Sequence, residues 1–214
     1  MIFYELLQAI WVSLKVSGAA ALIASALAVP LAIYLSGTQF AGKRFILLVN
    51  QTLMAAPTVV IGLLLYFFFS RNGPLGRFGI LYTQTAMMVG EIVLILPIVI
   101  GFAYTALRQV DAKARLTALS LGASQSQAGW VVVKEASFPL LVAILAGFAR
   151  AISEVGVAMM LGGNIRGYTR NITTTIALES AKGEFTNGVV LGVLLLGITL
   201  GINLLVNLGL RSKD

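Results

Sequence analysis

Residues 80–107 read ILYTQTAMMVGEIVLILPIVIGFAYTAL, and this stretch decides what kind of protein the chain is. From Ile80 to Leu107 its one charged side chain is Glu91. A helix needs about 20 apolar residues to cross a hydrocarbon layer about 30 Å thick, and this run exceeds that length. A soluble helix would carry polar residues along one whole face, and here they are missing. The run predicts a membrane-spanning helix that carries a carboxylate deep into the apolar layer.

Outward from it, four more runs have the same character: Ala9 to Leu35, Phe45 to Phe69, Leu140 to Leu161 and Phe185 to Leu210. Of the 214 residues, 58% are hydrophobic and 11% charged, with mean hydropathy +0.95. A soluble domain carries about 25% charged residues. The bilayer must solvate most side chains, and in lipid the backbone has to satisfy its own polar groups. Long uninterrupted runs do so as helices. The expected fold is an all-α integral membrane protein, one domain over residues 1–214, with about five transmembrane helices. The first run is not a secretory signal. Met1-Ile2-Phe3-Tyr4-Glu5 holds no basic residue, the first being Lys15, and the apolar stretch is too long.

The chain has no Cys and no His. Disulfides, thiolate nucleophiles and His-based metal sites or triads are excluded, and neither a metal nor a cofactor is expected. The net charge of +7 does not point to nucleic acid, because the basic residues are scattered around the apolar runs as topology signals. Lys43 and Arg44 follow run one, Arg108, Lys113, Arg115 and Lys134 follow run three, and Arg211 and Lys213 follow run five. With five spans these segments share one side, which is then cytoplasmic. That places the N-terminus outside and the C-terminus in the cytoplasm. Arg71, Arg77, Arg166, Arg170 and Lys182 fall on the opposing side, so the bias is modest. Arg71 to Gly76 is a Gly/Pro turn. In the long loop from Gly162 to Glu184, Thr173 to Leu178 reads as a short re-entrant or interfacial helix.

Residues 109–138 form the most unusual connection. Helix formers around Leu116, Leu119 and Leu121 break at Gly122-Ala123-Ser124, resume through Trp130-Val131-Val132-Val133 and end near Pro139. A helix–Gly–helix element on the inner surface is expected. Within it, Leu116-Thr117-Ala118, Leu119-Ser120-Leu121 and Gly122 resemble the coupling motif of ABC importer permeases, a Glu-Ala-Ala triplet followed three residues later by Gly. Ala118 and Gly122 match. Leu116 stands in place of the Glu, and Pro139 lies a helical turn beyond the family position. The resemblance implies a type I ABC importer permease, with Ala118, Leu119, Ser120, Leu121, Gly122 and Ala123 docking on a cytoplasmic ATPase.

A second constellation runs Arg150-Ala151-Ile152-Ser153-Glu154-Val155-Gly156 and on through Met159-Met160-Leu161-Gly162-Gly163-Asn164-Ile165. With Thr52 to Leu63 and Thr169 to Glu179, it resembles oxyanion permeases of the tungstate and molybdate class, tungstate-type first. The likeness extends over nearly the whole chain. It implies import of a tetrahedral oxyanion handed over by an extracytoplasmic binding protein, in a homodimer embedded in the lipid of the cell's inner or plasma membrane. No Gly-x-x-x-x-Gly-Lys-Ser/Thr loop occurs, so ATP hydrolysis is expected on a separate partner and the chain itself is not an enzyme.

Depth leads independently to the same residues. Arg150 lies about 16 Å past Pro139 at 1.5 Å per residue, and Glu91 lies as far in from the other side. Intramembrane charges face the bundle interior and pair, and Arg150 and Glu154 share a helix face at i,i+4. The expectation is an Arg150–Glu154–Glu91 cluster near the midplane, with Ser153 beside it. Two roles stay open for it: lining the pathway, or stapling two spans. Thr52, Pro57, Thr58 and Asn164 are expected at the gate, with Pro57 and Pro97 kinking their helices. Paired glycines Gly188/Gly192 and Gly197/Gly201 predict close packing on two sides of the last span. Readings of another class are a membrane-embedded enzyme using Glu91 and Glu154, or a passive channel.

Overall fold

The structure is a computed structural model that describes residues 2–110 and 112–211. Met1 and Lys213 fall outside the described residues, as do the side chains of Ile2, Phe3, Lys113 and Arg211.

Among the described residues ten α-helices follow one another: α1 (Ile2–Gly37), α2 (Lys43–Met54), α3 (Thr58–Phe69), α4 (Gln84–Gln109), α5 (Ala112–Ser120), α6 (Gln125–Glu135), α7 (Ser137–Ile152), α8 (Gly156–Gly162), α9 (Ile172–Ala181) and α10 (Phe185–Arg211). A 3₁₀ turn, Gly76–Phe78, lies between α3 and α4. Among the described residues three helices, α1, α4 and α10, are long and apolar enough to cross a membrane alone. The count reaches five if the bent pairs α2–α3 and α6–α7 are each one span.

At the centre lies α4. Its apolar window is 56% buried, packed by α1, α2, α7 and α8. Sequence chemistry explains the closest of these contacts. Ala20, Ala24, Ala28 and Ala32 recur at i+4 on α1 and are all fully buried. A stripe of small residues brings two backbones close enough for dispersion contacts, where lipid gives no hydrophobic drive between helices. Ala32 then meets Ala103, Ala106 and Leu107 of α4 with Leu140 and Ala143 of α7. Ala21 and Ala24 meet Leu94, Ile95 and Ala151 further along.

Two of the expected spans are not single helices. The run from Phe45 to Phe69 folds as α2 and α3, bent by 99°. Pro57 has no N–H to donate, and its ring disfavours helical geometry at the preceding residue. The chain therefore leaves the helix at Ala55 and restarts at Thr58. Pro97 does not kink its span into two, because α4 stays one helix of 26 residues. Asn50 of α2 donates its side-chain amide to the Pro97 carbonyl at 3.0 Å. The run from Leu140 to Leu161 also divides, into α7 and α8 with Ser153, Glu154 and Val155 between them. Here the cause is a side chain: Glu154 Oε1 accepts the Val157 N–H at 3.1 Å and starts a new helix.

The helix–Gly–helix element is present. At the end of α5, Gly122 adopts φ +86°, its N–H reaches Leu119 O, and the Ala123 N–H reaches Ala118 O, both at 3.0 Å. That pair of bonds is a Schellman stop, which needs a left-handed residue and so favours Gly. Ser124 then opens α6 with a capping box to Gln127. The short helix expected after Thr173 is α9, and Asn171 opens it with a second capping box.

Candidate translocation site at two helix breaks

The two breaks touch. A Cβ placed on Gly156 would lie 3.3 Å from Thr58 Oγ1 and 3.3 Å from Glu154 Oε1. The elbow that Pro57 makes in α2–α3 thus rests on the gap between α7 and α8. Glycine at 156 is what permits the approach.

Glu154 organises the gap. One carboxylate oxygen caps α8 through Val157. The other accepts from Arg150 Nη1 at 2.7 Å, an i,i+4 ion pair. Its backbone carbonyl accepts the Thr173 hydroxyl of α9 at 2.7 Å, and Asn171 Oδ1 lies 2.9 Å from the same hydroxyl. Three helix ends therefore meet on one residue that is 3% exposed. The Arg150 side chain is 34% exposed, so the bundle does not fully enclose it. Ser153 is exposed beside it, its hydroxyl donating to Arg150 O at 3.1 Å.

The expected three-membered cluster closes only as a pair. Glu91 is fully buried on α4, at the level where Ala151 packs on Leu94. Its neighbours are Ser17 of α1 and Glu154. Among the described residues neither Glu91 oxygen has a hydrogen-bond partner, nor has the Ser17 hydroxyl, and no ion pair joins Glu91 to Arg150. The guanidinium is held by Glu154, four residues on and just past the end of α7.

The four gate residues separate. Pro57 and Thr58 form the elbow. Thr52 is exposed on the last turn of α2, its hydroxyl spent on Leu48 O at 3.0 Å. Asn164 sits beyond the C-terminus of α8 at φ +50° and accepts from Arg170 Nε at 3.2 Å. It belongs to the loop at the end of the bundle, away from the breaks.

That end of the bundle holds contacts that the sequence reading missed. Tyr82 donates its hydroxyl to Tyr66 at 3.3 Å. This bond, and then burial, push its phenol up from the ordinary value. A cleft of about 410 Å³ between α1, α9 and α10 is lined by Glu5, Arg170, Glu179 and Lys182. Lys182 holds the Glu179 carboxyl below its usual range, and Arg166 pairs with Glu5. Of these only the spacing of Glu179 and Lys182 was visible as a local pattern.

At the opposite end, the α5–α6 element presents apolar side chains without cover. Leu121 is 82% exposed and Trp130 60%. With Gly122, Ala123, Ser126 and Gln127 they edge a shallow depression. Ala118 to Ala123 all lie on this knob.

A sequence model of the family described as binding-protein-dependent transport system inner membrane component matches residues 28–211. The chain is 37% identical over 187 residues to the tungstate uptake system permease protein TupB of Peptoclostridium acidaminophilum, covering 87% of this chain and 82% of that one. It is 40% identical over 158 residues to the protein of the same name from Campylobacter jejuni, covering 74% and 66%. It is 30% identical over 174 residues to the molybdenum transport system permease protein ModB of Haemophilus influenzae, covering 78% and 76%.

Proposed function

We propose, from the premise that this chain belongs to the family of binding-protein-dependent transport system inner membrane components, that it is the membrane permease of an ATP-driven importer for a tetrahedral oxyanion, tungstate first and molybdate second. The observation that carries the reading is the uncovered knob around Gly122, with Leu121 at its tip 82% exposed. An apolar side chain held out on a Schellman turn between two capped helices suits a groove on a second protein. Rigid helices on either side transmit a push from that protein into the bundle. The partner is a cytoplasmic ATPase, since the chain carries no phosphate-binding loop of its own.

On this reading the Gly122 end is cytoplasmic, as is the C-terminus, and the N-terminus and the Asn164 loop face outward, in the inner or plasma membrane. An extracytoplasmic binding protein delivers the anion. Two copies of the chain are required, because α10 has only 6% of its apolar window buried in one copy and a twofold pair is the commonest closed assembly. Arg150, Ser153 and Thr58, at the touching breaks, line the pathway. Glu154 holds Arg150 in place and Glu91 backs the site. Discontinuous helices are where membrane transporters handle ions, since they bring polar groups to mid-depth. The similarity to tungstate permeases supports the choice of anion.

The test is uptake of radiolabelled tungstate into proteoliposomes holding this chain, its ATPase and its binding protein. ATP-dependent uptake that molybdate competes away, and that Leu121→Asp abolishes, is the expected result. Uptake without a nucleotide-binding partner would overturn the proposal and favour a passive channel.

A further inference from the structure

At the end of the bundle opposite Gly122, a groove of about 590 Å³ runs between α3 and α8. It is lined by Leu63, Met159, Met160 and Ile165 together with Tyr66, Tyr82 and Gly163. Both walls belong to helices whose other ends form the touching breaks, α3 starting at Thr58 and α8 at Gly156, and between groove and breaks the two helices pack at Gly62 and Val157.

The tyrosines are placed at a cost. Tyr82 has φ +63°, a left-handed conformation disfavoured for a residue with a Cβ. It is held there by its N–H on Leu161 O at 2.8 Å. Its ring packs on Gly163, where an added Cβ would come within 2.7 Å of Cδ1. The hydroxyl so placed meets Tyr66 at 3.3 Å, longer than the roughly 2.7–2.8 Å typical of a strong O–H···O bond. Both side chains are more than a third exposed, Tyr66 37% and Tyr82 41%. A long hydrogen bond in contact with solvent contributes little as a staple, because water replaces it readily. The geometry fits a closure that is meant to open. The apolar walls give an anion nothing to rest on, whereas each phenol offers an O–H donor to an oxyanion as it passes.

We propose that Tyr66 and Tyr82 form the outer gate of the oxyanion pathway, shut in this structure by the bond between their hydroxyls. The proposal rests on the permease reading above. The chain has no native cysteine, so a Tyr66→Cys, Tyr82→Cys pair can be joined by a short bifunctional thiosulfonate without side reactions on other thiols. In proteoliposomes with the ATPase and the loaded binding protein, the reduced pair should take up tungstate. The bridged pair should lose at least ten-fold of that uptake and regain it with reductant. Tyr82→Phe, which keeps the ring, should raise ATP-independent tungstate leak severalfold. Bridged transporters that work at the reduced rate would overturn the gate. If the cysteine pair fails to fold, a Tyr82→Phe leak equal to that of the unmodified protein overturns it instead. Absence of uptake by the unmodified protein would instead strike the permease reading itself.

Discussion

Helices α4 and α10 are nearly the same on paper, with 26 and 27 residues and window hydropathies of 2.4 and 2.0. One is the hub of the bundle and the other barely touches it, at 56% and 6% burial. The difference lies in what each helix offers a neighbour at close range. Gly90, Gly101, Glu91 and the Pro97 carbonyl give α4 places where other helices come close or bond. On α10, Gly188 approaches Ser180 of α9, but Gly192, Gly197 and Gly201 meet nothing within 4 Å. The expected packing on two sides is thus realised on one side within a single copy. Hydropathy places a helix in the bilayer, and only small or polar positions decide whether it gathers partners there.

The comparison can be broken first at the jacket around α4. Glu154→Ala removes the α8 cap and leaves Arg150 unpaired. Losing one partner of a buried pair costs about 3–5 kcal/mol, and the part-exposed Arg150 brings this down to about 2–4. Thermal unfolding in detergent, followed by tryptophan fluorescence, should show the largest drop in melting temperature of the set. Next comes Gly90→Val, because a Cβ at 90 lies 2.4 Å from Val157 Cγ1 and 2.5 Å from Leu161 Cδ1. Overpacking there should cost about 1–3 kcal/mol in the same melt. Asn50→Leu keeps the bulk and strips the Pro97 carbonyl of its donor, at about 1 kcal/mol. Hydrogen exchange should then rise in the α4 turns around Pro97 before it rises elsewhere. Smallest is Gly197→Ala on α10, expected within about 0.5 kcal/mol of the parent. A drop as large as that at Gly90 would mean that α10 is a second hub.

Much of this was legible in the chain. Three of the five apolar runs appear as single long helices at their expected places, and the Gly122 turn follows from one residue able to hold a left-handed stop. The Arg150–Glu154 pair follows from helical spacing alone. The two breaks were not legible as breaks. A window averaging over Phe45 to Phe69 registers apolar length and is blind to direction, although Ala55-Ala56-Pro57 carried the signal. The break at Ser153 rests on Thr173, twenty residues further on, and on a carboxylate folding back onto Val157. Glu91 was expected to join the Arg150 ion pair and does not, since position along a helix does not fix which neighbour a side chain reaches. Tyr66 and Tyr82 meet only because a loop returns one to the other, which no periodicity encodes.

The 99° angle between α2 and α3 has a mechanical consequence. A straight span turned about its own axis moves its ends nowhere. Here α3, of 12 residues and so about 18 Å long, stands out from α2 as the arm of a crank. Rotating α2 by about 10° would sweep the far end of that arm through about 3 Å, a displacement set by the arm length alone. Tyr66 rides near the tip of the arm and Thr58 at its root, so one small roll of α2 displaces the two by different amounts.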